Sequence, residues 1–190
     1  MKKILLLCIA VIMGAAFVVA GCGSNDTAKE SSASGSGGEK VLKVATSADF
    51  APFEFQGEND TDYQGFDMDL IRAIGKEMGT KVEINNISFD GLIPALQTGN
   101  IDAVITGMSI NEEREKEVAF SDPYYESGLT IIVKADNNSI NSFNDLQGKK
   151  IAVQIGTTGA EEAKKIPNAQ VKELNSSADT FLELKAGNVD

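Results

Sequence analysis

The chain has 190 residues, of which 42% are hydrophobic and 24% charged, a globular balance that excludes wholesale disorder and collagen-like structure. Its 17 basic and 28 acidic residues leave a net charge of −11, so the charge gives no case for gripping nucleic acid through its phosphates. There is no histidine, and both cysteines (Cys8 and Cys22) lie near the amino terminus. That excludes His-based triads, His metal sites and disulfides in the body, and no metal ion or organic cofactor is expected.

Lys2 and Lys3 precede an apolar or small-residue run from Ile4 to Ala20 that ends Val19-Ala20-Gly21-Cys22. This arrangement resembles a bacterial lipobox, in which cleavage before the cysteine leaves a thiol that carries a diacylglycerol. Residues 1–21 are therefore expected to be a lipoprotein signal peptide, with Cys22 as the lipidation site. Residues 22–40, rich in Ser, Gly and charge, read as a flexible tether. Together they predict a soluble domain anchored by lipid to the extracytoplasmic face of the cell membrane.

From Val41 onward, strand-like and helix-like segments alternate. Val41–Thr46 reads as a strand. Phe66, Leu70, Ile74 and Met78 recur at four-residue spacing, with Asp67 and Asp69 in the first turn and Gly79 past the end, which predicts a helix. Val82 and Ile84 alternate in a short strand. Asp90 is placed to cap a helix running to about Thr98 and stopped by Gly99, and Ile101–Thr106 is apolar enough for a buried strand. Asn111 is expected to cap a short helix through about Val118. Leu129–Val133 and Ile151–Val153 read as strands, Ser142-x-x-Asp145 as a capping box, Gly148 as a stop, and a helix follows from about Ala160. The alternation predicts an α/β architecture with a largely parallel sheet.

One segment recurs: Leu96-Gln-Thr-Gly-Asn-Ile-Asp102 returns as Leu184-Lys-Ala-Gly-Asn-Val-Asp190. Each copy follows a helix-like stretch and leads toward a strand, which predicts two related α/β lobes. The second copy stops where the first enters its strand, so the second lobe is expected to be incomplete.

Two stretches are placed to bind a small molecule. Gly107-Met-Ser-Ile-Asn-Glu-Glu-Arg114 follows the strand at 101–106 and opens a helix, and such strand ends face the crevice where ligands collect. Arg114 offers a planar fork that matches a carboxylate, and Ser109 a hydroxyl. The plainer alternative is a surface arginine paired with Glu112, Glu115 or Glu117. Val153-Gln-Ile-Gly-Thr157-Thr158-Gly159 is a second strand-to-helix turn and fits neither a phosphate loop nor a dinucleotide fingerprint.

These stretches, with Asp49-Phe-Ala-Pro-Phe-Glu-Phe55, Gly65-Phe-Asp-Met-Asp-Leu70, Phe89-Asp-Gly-Leu-Ile-Pro-Ala-Leu96, Phe120-Ser-Asp-Pro-Tyr-Tyr125 and Asp145-Leu-Gln-Gly-Lys149, resemble a known family. It is the solute-binding proteins of bacterial polar-amino-acid ABC transporters, the glutamine- and arginine-binding group. The resemblance implies a periplasmic-binding-protein-like α/β fold, with lobe one at 41–123, a hinge at 124–128 and part of lobe two at 129–190. It implies a non-catalytic receptor, acting as a monomer, that closes over one amino acid and delivers it to a membrane permease.

Carried over by motif, Arg114 clamps the α-carboxylate with Ser109, and Thr157 and Thr158 complete the cradle. The Gly107 carbonyl takes the α-ammonium group, Phe50 and Phe89 sandwich the side chain, and Ser47 lies near its end. Met108 and Gln154 complete the implied ligand-binding set. Relatives that bind cationic side chains often place Asp at the position of Ser47 and Tyr at that of Phe50, so glutamine is the favoured ligand. The acid by which lobe two holds the ammonium group in this family falls beyond Asp190. The rival readings are an enzyme on the same scaffold, for example a small-carboxylate dehydratase using Glu54 or Glu126, and a ligand-sensing module of a signalling system.

Overall fold

Strand β1 (Val41–Thr46) carries the first sheet because its last half is wholly apolar or small: Val44, Ala45 and Thr46 are completely buried. The computed structural model describes residues 40–57 and 61–190; the signal-peptide reading, Cys22 and the tether up to residue 39 lie outside them. β1 pairs in parallel with β5 (Lys81–Asn86) on one side, Val44 facing Ile84, and with β6 (Ala103–Val104) on the other, Val44 facing Ala103. Successive side chains of a strand point to opposite faces, so Val44 and Ala45 begin two separate cores. Val44 packs with Met68 and Ile71 of helix α1 (Phe66–Glu77), and Ala45 with Leu92 of helix α2 (Leu92–Gln97) and with Ile101. A three-layer α/β/α unit results.

Met68, Ile71 and Gly75 are buried along one stripe of α1; the Phe66, Leu70, Ile74 and Met78 spacing that predicts the helix marks a different stripe, on which Phe66, Ile74 and Met78 are exposed. Gly75 sets how close the buried stripe comes to the sheet: a Cβ there would meet Val82 Cγ2 at 2.3 Å. Between β1 and α1 the chain adds a small antiparallel meander of β2 (Asp49–Phe50), β3 (Glu54–Gln56) and β4 (Tyr63–Gln64). Strands of two or three residues are too short for alternation to reveal them.

The second sheet pairs β7 (Lys150–Gln154) in parallel with β8 (Gln170–Leu174), covered by α4 (Thr158–Lys165) and α5 (Ser177–Ala186). The recurrent segment does the same work in both sheets. After α2, the Asp102 N–H donates to the Lys43 carbonyl at 2.8 Å and its carboxylate accepts from the Lys43 N–H at 2.8 Å. After α5, the Asp190 N–H donates to the Lys150 carbonyl at 2.9 Å and its carboxylate accepts from the Lys150 N–H at 2.8 Å. The aspartate thus brackets the first residues of each sheet's leading strand, and the two related lobes expected from the repeat are present.

Several expected elements differ. Leu129–Val133 is not a strand: an apolar run alone does not make one without a ladder partner, and among the described residues β7 pairs with β8 only. Asp90 caps no helix; it sits inside a 3₁₀ turn, Phe89–Gly91, that leads into α2, with Ser88 at the cap position. β6 covers 103–104 rather than 101–106. Helix α3 (Glu112–Glu115) is capped by Asn111 as expected but ends before Val118, in turns that bond back to Arg114. The Ser142/Asp145 pair is formed, the Asp145 carboxylate accepting from the Ser142 N–H and hydroxyl at 2.9 Å each, but on a 3₁₀ turn rather than an α-helix. α4 starts at Thr158, two residues before the expected Ala160.

Candidate ligand-binding site

The chain leaves β1 for β5 on one side and returns to β6 on the other, so the carboxyl ends of β1 and β6 diverge. Such a switch point opens a crevice in an open α/β sheet. Ser47 follows β1 at one wall, and Thr106 and Gly107 follow β6 at the other. Facing them from the second lobe is the turn from β7 into α4, which brings Gln154, Thr157 and Thr158. The crevice between them encloses about 310 Å³, small for a ligand pocket and on the scale of one amino acid. Of the ten ligand-binding residues expected from the sequence, nine line it; Met108 instead packs against the Ala45–Leu92–Ile101 core.

Arg114 is the charged anchor. The Asn111 side chain accepts from the Arg114 N–H at 2.9 Å, which starts α3 and turns the arginine inward. The side chain is 7% exposed. Its guanidinium donates to the Ser109 carbonyl at 2.6 Å and to the Gly156 carbonyl of the second lobe at 2.9 Å, and lies 5.6 Å from the centre of the Phe89 ring. Those bonds use two of five N–H donors. Among the described residues it forms no ion pair with Glu112, Glu115 or Glu117. Burial holds its pKa below the usual arginine value, with Glu161 acting in the opposite direction, and the group stays a cation.

Across the pocket, the Thr157 hydroxyl donates to the Gln154 carbonyl at 2.7 Å and accepts from the Ala160 N–H at 3.2 Å, capping α4. The first N–H groups of a helix have no partner within it, so this end presents donors and positive potential to an anion. Phe50, 46% exposed, stacks on Phe53 with centroids 5.8 Å apart and stands beside Gly107.

The floor is a chain of buried hydrogen bonds. The Ser47 N–H donates to the Thr106 hydroxyl at 3.0 Å, and that hydroxyl donates to Glu54 at 2.9 Å. The Gly107 N–H and the Tyr124 hydroxyl each donate to one Asp67 oxygen at 2.8 Å. Burial pushes the Glu54 carboxyl up to about 9, and it raises the Tyr124 phenol, which Asp67 raises further. At the rim, Asp49 of β2 binds the second lobe: its carboxylate accepts from the Ser177 N–H at 3.0 Å and the Gln154 amide at 3.4 Å, and its carbonyl from the Ser177 hydroxyl at 2.6 Å.

Residues 42–188 match the family described as bacterial extracellular solute-binding proteins, family 3. The chain belongs to that family. Among its relatives, the arginine-binding extracellular protein ArtP of Bacillus subtilis (strain 168) is 36% identical over 194 residues, covering 100% of this chain and 71% of that protein. The glutamine-binding protein of Geobacillus stearothermophilus is 35% identical over 191 residues, covering 90% of this chain and 72% of its own length. Among solved structures, an ancestral arginine-binding protein bound to arginine superposes with a TM-score of 0.77 at 50% identity, covering 80% of this chain and 68% of that one. This solute-binding protein spans 58% of one curated relative, a probable histidine-binding protein of Campylobacter jejuni, and 72% of the Geobacillus protein.

For a family 3 solute-binding protein, the larger cavity, about 750 Å³, is not where the charged groups converge. It is lined by Ile131, Val133, Leu146, Val153 and Leu184 beside the second sheet, with no buried cation to meet a carboxylate. Asp49, Thr106 and Ser177 were not expected in the pocket, and Glu54 only as a general acid or base of the rival enzyme. Their partners lie 52 to 128 residues away, so no local motif announces them.

Proposed function

We propose that the protein is an extracytoplasmic receptor that captures one polar L-amino acid between its lobes and hands it to an ABC importer. Its favoured ligand is glutamine. The buried Arg114, braced by one carbonyl from each lobe and facing the N-terminal end of α4, carries this reading. An amino acid is a zwitterion, and a dry site must partner both charges. In this reading Arg114, Ser109, Thr157 and Thr158 take the α-carboxylate, and the Gly107 carbonyl takes the ammonium group. Phe50 and Phe89 flank the side chain, and Ser47 and Gln154 meet its end. Residues 124–128 act as the hinge, and closure excludes water from the charged contacts. Cys22 carries the lipid that keeps the receptor beside its permease, and one copy suffices.

Glutamine is favoured because Ser47 and Phe50 put no charge at the side-chain end. Arginine is the second reading, favoured by the Asp49 carboxylate on the same pocket and by the names of the arginine-binding relatives. An ancestral arginine-binding protein, 49% identical to this chain, has been solved bound to glutamine, so one pocket of this type holds either ligand. The reading is non-catalytic: Glu54 and Asp49 are engaged by Thr106 and Ser177 rather than poised as an acid–base pair.

Arg114→Ala tests the carboxylate clamp. Removing one partner of a buried charge pair costs about 2–5 kcal/mol, so calorimetric affinity is expected to fall at least about 30-fold, with the circular dichroism spectrum unchanged. Unchanged affinity in the folded variant contradicts the assignment.

A further inference from the structure

Two carboxyl groups are buried together beneath the pocket floor: Glu54 from β3, 1% exposed, and Asp67 from the first turn of α1, 0% exposed. Each uses one oxygen. Glu54 Oε1 accepts from the Thr106 hydroxyl at 2.9 Å, and Asp67 Oδ2 accepts from the Gly107 N–H and the Tyr124 hydroxyl at 2.8 Å each. Each also has one buried oxygen with no partner, Glu54 Oε2 and Asp67 Oδ1. Both carboxyls close on Gly107: its N–H donates to Asp67 Oδ2 at 2.8 Å, Glu54 Oε1 stands 4.0 Å from where a Cβ on it would lie, and Asp67 acts on the Glu54 carboxyl.

Two ionised carboxylates cannot satisfy one another, because both only accept, and like charges in a dry site repel. A single proton removes both defects. We infer that Glu54 and Asp67 form a carboxylic acid–carboxylate pair with one proton between them, and that this pair positions Gly107 and Tyr124. Glu54 holds the proton. Asp67 receives two donors that stabilise its charge, whereas Glu54 receives only a neutral hydroxyl. The ionisable groups acting on Glu54 are Asp49 from β2, Asp67 from α1 and Tyr124, and none of them is a cation. Burial and the two aspartates raise its pKa, and the Thr106 bond only partly opposes them.

The pair therefore carries one negative charge rather than two. It ties Gly107, three residues past β6, and Tyr124 to the first turn of α1. It belongs to the ligand-free protein, so it stands or falls independently of which ligand binds.

The test is a ¹³C carboxyl NMR titration of the ligand-free protein, with the Glu54 signal assigned from Glu54→Gln. The expected Glu54 signal titrates near pH 9, and in Asp67→Asn it titrates lower. A Glu54 signal that titrates near 4.5 in the wild type overturns the pair. Stability gives a second readout. The folded pKa is raised, so the folded state keeps a proton that the unfolded state has released. This contribution is full below about 4.5 and is lost as pH rises through about 9. The wild-type melting temperature is thus expected to fall over that range, and Glu54→Gln, which keeps a neutral donor facing Asp67, to flatten the fall. An unchanged slope in Glu54→Gln contradicts the pair. The Gly107 amide proton reports positioning: it stays downfield in Glu54→Gln and moves upfield in Asp67→Asn. If Glu54→Gln does not fold, the Glu54 carboxyl is assigned by through-bond correlation to its own backbone, and the wild-type titration still decides.

Discussion

At Ser47 a hydroxyl occupies a position that is 5% exposed and borders the pocket. In the proposed binding mode, a carboxylate there would place a charge at the far end of the ligand, where glutamine has an amide and arginine a cation. Ser47→Asp is therefore expected to raise the ratio of arginine to glutamine affinity by about 10-fold or more, a coupling of at least about 1.4 kcal/mol. Competition binding measures that ratio, and an unchanged ratio removes Ser47 from the side-chain end. Arg114 and Ser109 were legible in the sequence because strand end, cap and arginine fall within one eight-residue stretch. The Glu54–Asp67 pair was not legible. Asp67 looked like an ordinary first-turn acid complementing a helix, and only the fold shows it buried and bonded to Gly107 and Tyr124.

At the scale of elements, regular pieces declared themselves where periodicity or capping was strong. α1 shows a four-residue apolar repeat and α3 an asparagine cap, and both formed where expected. Leu129–Val133 misled because its apolar character reports burial preference but says nothing of a ladder partner. Contacts between lobes were equally silent in the sequence. Asp49 meets the N-terminal turn of α5, 128 residues away, and so ties the lobes at the pocket rim. A carboxylate at a helix N-terminus contributes about 0.3–1 kcal/mol, and up to about 2 kcal/mol when partly buried. Asp49→Ala is therefore expected to speed ligand release severalfold while leaving the melting curve nearly unchanged. Release of radiolabelled ligand into excess cold ligand measures this; an unaltered release rate means the contact does not hold the lobes closed.

For the whole molecule, the repeated aspartate bracket shows how one α/β plan serves twice. Asp102 and Asp190 each tie a helix–glycine corner to the start of the leading strand, at Lys43 and Lys150. Two such lobes set their strand ends against each other, and the crevice between them gathers a guanidinium, a helix N-terminus, two aromatic rings and few exposed charges. That combination suits one zwitterion of modest size. The repeat and the order of motifs made this plan legible from the sequence; the width of the crevice and its inter-lobe bonds come from packing alone.

Calorimetric titration of the purified protein with a panel of L-amino acids tests the central claim most directly, since the chain has no tryptophan to report binding optically. Tight, saturable, one-to-one heat is expected with a polar amino acid, strongest with glutamine. Tighter binding of arginine keeps the receptor and overturns the specificity drawn from Ser47 and Phe50, whereas silence across the whole panel contradicts the amino-acid receptor itself.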